Sequence, residues 1–258
     1  MMVDKSLPIF MQEESTNRIL KEAISCIPDN TKIYLIGGAL RTAIYYEYFN
    51  KKMPMRDYDL FLTGSPKEFI SNLRKKGFIY GKLKRKDERV VKKKRFSGAK
   101  ESKDFVVLDI HFSDDKDIKN NLQKNANFTI NGFALPLKKI LSPKWQKGII
   151  SIKNAEKDLK EKQIRVNTYN RSTQLYACVR FVSHGFKPPT KEELNGLLLL
   201  LKKVRKNQLE RNRKKVFEQT GGEDRAKEIV NKMGIKEDIF SSETIKNLRE
   251  DKFKLHFN

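Results

Sequence analysis

Two glycines and two aspartates could do chemistry together in this chain. Gly37-Gly38 end one apolar run, and Asp57 and Asp59 open the next. Glycines let backbone N–H groups approach a ligand closely, beside a helix N-terminus that favours anions. The aspartates are two apart on an extended segment, so their carboxylates share a face and could hold Mg²⁺. A pair of such ions could clamp a phosphoryl displacement. Each pattern alone is also common in ordinary turns and strand ends.

The surrounding pattern predicts the elements that position these residues. Apolar runs predict strands at 32–36 and 57–62, with a helix from Ala39 to about Phe49 between them, and a helix precedes them at 11–27. A further strand is predicted over 105–112, and Asp109 interrupts it. A carboxylate inside an apolar strand is costly unless it is paired or bound to metal. Asp109 is therefore either a third site carboxylate or an aspartate at the end of the sheet.

Composition favours a polyanionic partner and an intracellular location. The 258 residues include 55 Lys+Arg against 32 Asp+Glu, a formal charge of +23. That balance suits a nucleic acid, although a solvated lysine-rich surface would look similar. Cys26 and Cys178 have no metal-ligand spacing and are expected to be reduced core residues. No signal peptide or membrane span is evident, so we expect a cytoplasmic protein without a membrane partner.

Lysine and arginine are concentrated in a few segments. The runs at 82–86 and 92–95 could form a solvated hairpin or a mobile loop that faces phosphates. A long basic helix is predicted over 192–218, followed by a break at Gly221-Gly222. We expect the segments 82–95 and 202–215 to contact the phosphates of a nucleic-acid acceptor.

Four stretches follow one another in the sequence as a set. They are Gly37-Gly38-Ala39-Leu40-Arg41 with Arg56-Asp57-Tyr58-Asp59-Leu60, Phe128-Thr129-Ile130-Asn131, Asp158-Leu159 with Ile164-Arg165, and Arg180-Phe181 with Gly185-Phe186. In this order they resemble the class II tRNA nucleotidyltransferase (CCA-adding enzyme) and poly(A) polymerase family, which carries the head domain of the polymerase-β-like nucleotidyltransferases. Together they extend over about 32–186.

The resemblance implies a fold and a domain division. The fold would be an α/β (α+β) nucleotidyltransferase head with a small mixed sheet, followed by an α-helical neck-like region. We place the head at 1–140 and the helical, RNA-binding region at 141–258.

The resemblance also implies site residues. Catalysis and the binding of two Mg²⁺ ions would fall to Asp57, Asp59 and Asp109. Nucleotide binding would involve Gly37, Gly38, Arg41, Asn127, Thr129, Asn131, Arg171 and Arg180. The substrate would be a nucleoside triphosphate, ATP or CTP or both.

The function implied is template-independent transfer of nucleotides from NTP to the 3′ end of RNA, with tRNA as the expected partner. The sequence also departs from the family. Asn125, Ala126 and Asn127 stand where the family has Arg, Arg and Asp, and the Asp-Pro-x-Arg that precedes Arg180-Phe181 is absent, with Arg171 nearby. Two alternatives therefore stay open: a nucleic-acid-binding relative with reduced catalysis, or a transferase that acts on a non-RNA acceptor. The sequence does not indicate an oligomeric state.

Overall fold

The structure is a computed structural model that describes residues 7–55, 57–84, 87–93, 105–113 and 117–250. Within these ranges, side chains are described except at 80–93 and 105. Contacts divide the chain into two compact units. The first comprises the described residues of Met1–Lys124 with Asn131–Ala155, and the second comprises those of Asn125–Ile130 with Glu156–Asn258.

The first unit alternates short helices with strands. A 3₁₀ turn at Ile9–Gln12 opens it. Its helices are α1 (Glu14–Ser25), α2 (Gly37–Phe49), α3 (Lys67–Lys75) and α4 (Ile118–Asn125), whose last residue belongs to the second unit. Its strands are β1 (Ile33–Ile36), β2 (Tyr58–Thr63), β3 (Ile79–Lys84), β4 (Asp87–Lys93), β5 (Phe105–Ser113), β6 (Phe133–Pro136) and β7 (Ile150–Ser151).

The described strands form one mixed sheet in the order β3-β4-β5-β2-β1-β6-β7. Strand β2 pairs parallel with β5, while its other neighbour β1 pairs antiparallel with it. A parallel pair needs a long crossover, and here α3 and the β3–β4 hairpin supply it. The mixed sheet predicted from the sequence is confirmed.

The two faces of the central strands differ in polarity. On one face of β2, Tyr58, Leu60 and Leu62 are buried, and the β5 residues Leu108 and Ile110 continue that layer in register. Alternation along each strand then sends the neighbouring residues to the opposite face. The apolar layer secures the strands, so the other face can carry charge without unfolding the sheet.

The buried face also receives the N-terminal segment. Phe10 contacts the ring of Tyr58 edge-on, with 5.5 Å between ring centroids. Burial, together with nearby Glu13, raises the pKa of Tyr58. Because Tyr58 stands between Asp57 and Asp59, this packing fixes the backbone that bears both carboxylates.

The second unit is helical. Its helices are α5 (Ala155–Lys160, whose first residue belongs to the first unit), α6 (Gln174–Ser183), α7 (Lys191–Leu201), α8 (Lys206–Thr220), α9 (Glu223–Lys232) and α10 (Ser242–Arg249). Helix α7 begins with a capping box in which Thr190 and Glu193 exchange hydrogen bonds. A helical region after the sheet agrees with the predicted fold class.

The single long helix predicted over 192–218 is wrong. The chain turns between α7 and α8, where Val204 is buried. The Arg249 guanidinium donates to the main-chain oxygens of Lys202, at 2.9 Å, and Val204. These bonds satisfy carbonyls that a continuous helix would have used internally. A partner from the far end of the chain cannot be read from local periodicity.

The predicted boundary at 140 lies inside the first unit, whose chain returns at Asn131–Ala155. This return supplies β6, which pairs with β1, and β7, which pairs with β6 at the edge of the sheet. In the described part of the chain, no helix combines the length and apolar character needed to cross a bilayer.

Candidate active site

Two aspartates lie side by side on the open face of the sheet. The parallel register of β2 and β5 pairs Asp59 directly with Asp109. Registered residues of neighbouring strands point to the same face. Asp109 is 8% exposed, while the side chain of Asp59 is 31% exposed. Asp57 lies just before β2 and is partly exposed.

Gly37 brings the backbone against the Asp59 carboxylate. Its φ is +69°, and a Cβ at this position would lie 2.5 Å from Asp59 Oδ2. A side chain at residue 37 would therefore clash with the carboxylate as well as strain the backbone. A Cβ at Gly38 would find a guanidinium nitrogen of Arg41 as its nearest neighbour, 3.8 Å away, which is ordinary contact. The two glycines thus have different roles.

The glycine pair begins helix α2 instead of preceding it. The first N–H groups of an α-helix lack intrahelical acceptors and favour an anion. Asp59 stands across from Ile36, the residue that precedes this helix, in the β1–β2 register. The turn therefore combines a close carboxylate with N–H groups suited to phosphate.

His111 joins this group of side chains. Its Nε2 lies 3.3 Å from Asp59 Oδ1, and the two side chains are 32% and 31% exposed. Sequence reasoning missed His111. A signal was available, because residue 111 is two after Asp109 on a predicted strand and so must share its face.

The carboxylate pair suits a hard divalent cation. Mg²⁺ prefers oxygen ligands and is usually held by one or two carboxylates together with water and substrate phosphates. Asp59 and Asp109 supply such oxygens from adjacent strands. Across the ranges that the structure describes, no group of three or more His, Cys, Asp or Glu side chains is arranged around one ion position. A site completed by substrate phosphates fits these residues better than a closed protein cage.

Arg41 and Asn131 contact each other within the first unit. The Arg41 Nη1–H group donates a hydrogen bond to Asn131 Oδ1. This bond joins α2 to Asn131, the last residue of the 3₁₀ turn at Thr129–Asn131. The sequence assigned both residues to nucleotide binding separately. Their contact shows that Asn131 orients the guanidinium of Arg41.

Asn127 is held mainly through its backbone. Its carbonyl oxygen accepts hydrogen bonds from the main-chain N–H groups of Asn167 and Thr168, at 2.9 and 3.3 Å, and from the Gln174 amide, at 3.0 Å. Gln174 is buried and also donates to the Thr168 carbonyl at 2.8 Å. These bonds fix the path of the segment Asn125–Ile130 within the second unit.

Thr129 is tied to a buried carboxylate. Its hydroxyl donates to Asp158 Oδ2 at 2.6 Å, and Asp158 is fully buried. Arg165 donates to both oxygens of Asp158, at 3.1 and 3.3 Å, and its pKa is raised by this bond and charge. The resemblance marked Asp158 and Arg165 as matching residues, but their partner could not be inferred from one sequence.

Arg171 and Arg180 have different surroundings in the second unit. Arg171 is exposed in the loop before α6. Arg180 lies on α6, where Nε donates to the Tyr176 carbonyl at 3.4 Å and Nη1 donates to Gln219 Oε1 on α8 at 3.3 Å. Its guanidinium therefore contributes to packing between two helices.

The predicted phosphate-binding segments are described in part. The backbone of 79–84 and 87–93 forms the paired strands β3 and β4 of a hairpin, one of the two alternatives considered for the basic runs. Residues 85–86 and 94–95 lie outside the described residues, as does Arg56. The other segment, 202–215, covers the turn after α7 and most of α8.

Comparison with solved structures identifies the fold. A Thermotoga maritima CCA-adding enzyme complexed with tRNA matches with a TM-score of 0.64 and 18% identity, over 90% of this chain and 53% of that one. A CCA-adding enzyme in complex with CTP matches with a TM-score of 0.60 and 19% identity, over 84% and 48%. A tRNA-processing enzyme in an apo form matches with a TM-score of 0.58 and 20% identity, over 87% and 56%.

This chain spans about half the length of these solved structures. No protein-family model and no curated protein matches the chain by sequence. The resemblance predicted from the four stretches is confirmed at the level of the fold: this chain has the fold of the CCA-adding enzymes.

Proposed function

We propose that this protein is a nucleotidyltransferase that transfers nucleotides from a nucleoside triphosphate to the 3′-hydroxyl of RNA. One observation carries the proposal. In a fold shared with CCA-adding enzymes, Asp59 and Asp109 are paired on adjacent strands, and the Gly37 turn closes against Asp59. Paired carboxylates beside backbone N–H groups are suited to phosphoryl chemistry.

Three carboxylates would hold the Mg²⁺ ions of this reaction, namely Asp57, Asp59 and Asp109. Bound Mg²⁺ would supply Lewis-acid chemistry, lowering the pKa of the attacking hydroxyl and stabilising charge on the departing pyrophosphate. Asp59 would be oriented from two sides, by the Gly37 turn and by His111. The N–H groups at the start of α2 would bind the triphosphate, with Arg41 close to them.

The substrates and partners are inferred from charge and from the solved relatives. Those relatives are a CCA-adding enzyme complexed with tRNA and others in complex with CTP or ATP. A formal charge of +23 favours a nucleic-acid acceptor over a small neutral one. We therefore propose tRNA as the acceptor, with CTP or ATP as the donor.

Incorporation of each labelled NTP onto tRNA that lacks its terminal nucleotides tests the proposal. Wild type with Mg²⁺ should extend the RNA, and both EDTA and Asp59→Asn should abolish extension. Asp29→Asn is a matched control, because Asp29 is exposed after α1 and is not one of the residues assigned to the site. Equal extension by wild type and Asp59→Asn would refute the assignment.

A second candidate is an RNA-binding relative that has lost catalysis. The observation in its favour is that the Thr129 hydroxyl, which the family-like segment would offer to a nucleotide, is bonded internally to Asp158. Asn127 also lacks the charge of the aspartate that the family has at this position. Tight, salt-sensitive RNA binding without incorporation of any NTP would favour this candidate.

A further inference from the structure

Tyr169 is the most exposed aromatic residue among the side chains that the structure describes. Its side chain is 47% exposed, although a large aromatic group gains free energy when it is covered. It lies in the loop between Val166 and α6, within the second unit. A single exposed aromatic residue is not unusual, so the support beneath the ring decides whether it can serve as a binding surface.

The phenol end of Tyr169 is seated on helix α7 at Gly196. A Cβ at Gly196 would lie 2.4 Å from Tyr169 Cε1 and 2.8 Å from Cζ. Glycine inside a helix costs about 0.5–1 kcal/mol relative to alanine. At this position the missing side chain is what allows the ring to approach the helix. The exposed Tyr169 ring therefore packs at the one point of this helix turn where Gly196 leaves room for it.

The loop around Tyr169 is held firmly. Thr168 donates through its N–H to the Asn127 carbonyl and through its hydroxyl, at 3.0 Å, to the Ala126 carbonyl. On the other side, the Asn170 amide donates to the Asn125 carbonyl at 3.2 Å. Both neighbours of Tyr169 are thus bonded to the segment Asn125–Ile130. A ring fixed before binding loses little conformational freedom when a ligand covers it.

The surroundings of the ring combine apolar surface with charges of both signs. Leu199, three residues after Gly196 on α7, is 49% exposed. Exposed Arg171 follows Tyr169 by two residues. Burial, Glu193 and Glu192 raise the pKa of Tyr169, and the Glu193 carboxylate already accepts hydrogen bonds from the Val166 and Thr190 N–H groups. The apolar surface suits a flat apolar group, and Arg171 is the nearest cation in sequence for an anionic chain that carries it.

We propose that Tyr169 is a stacking site for an unpaired base of the acceptor RNA. Stacking on an aromatic side chain is a general means of holding single-stranded nucleic acid and tolerates any base. Arg171 would neutralise an adjoining phosphate. This inference rests on the proposed function for the identity of the acceptor, and it assigns one contact of that acceptor to a named residue.

Binding of a short single-stranded RNA that carries 2-aminopurine near its 3′ end tests this site in the full chain. Affinity and fluorescence quenching are measured without NTP or Mg²⁺. Tyr169→Leu keeps apolar volume but removes the ring, and should weaken binding by about 5- to 150-fold, the range found for loss of one stacked base. Tyr169→Phe keeps the ring and should bind and quench like wild type.

Gly196→Ala tests the same contact from the other side. The added methyl must displace the Tyr169 ring, while alanine favours the helix by up to about 1 kcal/mol. We expect weaker RNA binding and reduced quenching with equal or higher thermal stability. This variant keeps the test valid if Tyr169→Leu folds poorly.

The outcomes of these experiments test the stacking contact and the proposed function separately. Unchanged affinity and quenching in Tyr169→Leu or in Gly196→Ala would exclude a stacked base. An unchanged RNA affinity with a raised KM for NTP would assign the ring to the donor nucleotide instead. If Tyr169→Leu binds RNA like wild type and also incorporates nucleotides normally, the stacking contact is refuted and the proposed function stands. If RNA binding depends on the ring but wild type incorporates no nucleotide, the contact stands and the proposed catalysis is refuted.

Discussion

The sheet face around Asp59 and the segment Asn125–Ile130 use polar side chains in opposite ways. Asp59 and Asp109 place two like charges on adjacent strands, and Asp59 is partly open to solvent. In the segment, the Thr129 side chain and the main-chain carbonyl of Asn127 are bonded to partners of the second unit. Both regions were recognised by the same kind of sequence match.

The difference separates groups kept for chemistry from groups used for folding. The partly exposed Asp59 carboxylate stands on the face opposite the apolar layer of the sheet, so we expect the fold to depend on it little. A hydroxyl bonded to a buried carboxylate stabilises the fold, because a buried polar group without a partner is costly. Substitutions at the two regions should therefore divide into those that remove activity and those that remove stability.

The largest expected effect is at Asp59. Asp59→Ala should lower kcat by about a hundredfold or more, the scale on which loss of one group that stabilises transition-state charge acts. The thermal midpoint should stay close to that of wild type, because the variant removes only a partly exposed carboxylate and its contact with His111. Steady-state kinetics and thermal unfolding measured on the same preparation check both parts. A large fall in the midpoint would contradict the contrast between the two regions.

The two glycines offer a matched pair. Gly37→Ala forces a Cβ to within 2.5 Å of Asp59 Oδ2 at positive φ. It should cost about 1–2 kcal/mol of stability for the backbone alone. Since small misplacements at a reacting centre cost up to about a hundredfold, activity should fall by about ten- to a hundredfold.

Gly38→Ala is the control for Gly37→Ala. Its methyl would make an ordinary van der Waals contact, and alanine stabilises a helix by up to about 1 kcal/mol relative to glycine. Activity and stability should stay close to wild type in the same assays. Equal losses in the two variants would show that the close approach at Gly37 is not what matters.

Asp158→Ala should mainly affect stability. It removes the acceptor of the buried Thr129 hydroxyl and the partner of Arg165, with an expected cost of about 1–3 kcal/mol in urea denaturation. Thr129→Val deletes the same bond from the donor side and should cost less, because Asp158 keeps Arg165. If Thr129→Val instead raised the KM for NTP at unchanged stability, Thr129 would belong to the nucleotide site.

The smallest expected effect is at Arg180. Its long hydrogen bond to Gln219 joins α6 to α8, while the one to the Tyr176 carbonyl stays within α6. Arg180→Met keeps the aliphatic stem and should lower stability by about 0.5–1 kcal/mol. The KM for NTP should be unchanged, as it should be in the control Gln219→Met. An increase in KM for Arg180→Met alone would restore the nucleotide-binding role predicted from the sequence.

Local elements of the fold were predictable where periodicity was strong. The strand, glycine turn, helix and strand expected over 32–62 appear as β1, α2 and β2. The parallel pairing of β2 with β5 and the turn between α7 and α8 were not predictable. Both depend on partners distant in the sequence, such as Arg249 for the turn, and local pattern carries no information on them.

The candidate site could be predicted only as a set of residue types. Spacing predicted that Asp57 and Asp59 share a face, and a carboxylate inside an apolar strand singled out Asp109. The sequence could not show that Asp109 stands beside Asp59, since register is a property of pairing. Nor could it show that Thr129 is bonded to Asp158. Threonine and aspartate also occur among residues that bind nucleotides, so their types alone do not distinguish a structural bond from a binding site.

The division of the chain has a consequence for the order of folding during synthesis. The first unit needs Asn131–Ala155, which includes β6, while the second needs Asn125–Ile130. Neither unit is therefore one continuous stretch. Residue 155 must emerge from the ribosome before the first unit can complete its sheet. The segment Asn125–Ile130 must then wait for Asp158 and Arg165, so it is anchored only after the residues that complete the sheet have been synthesised.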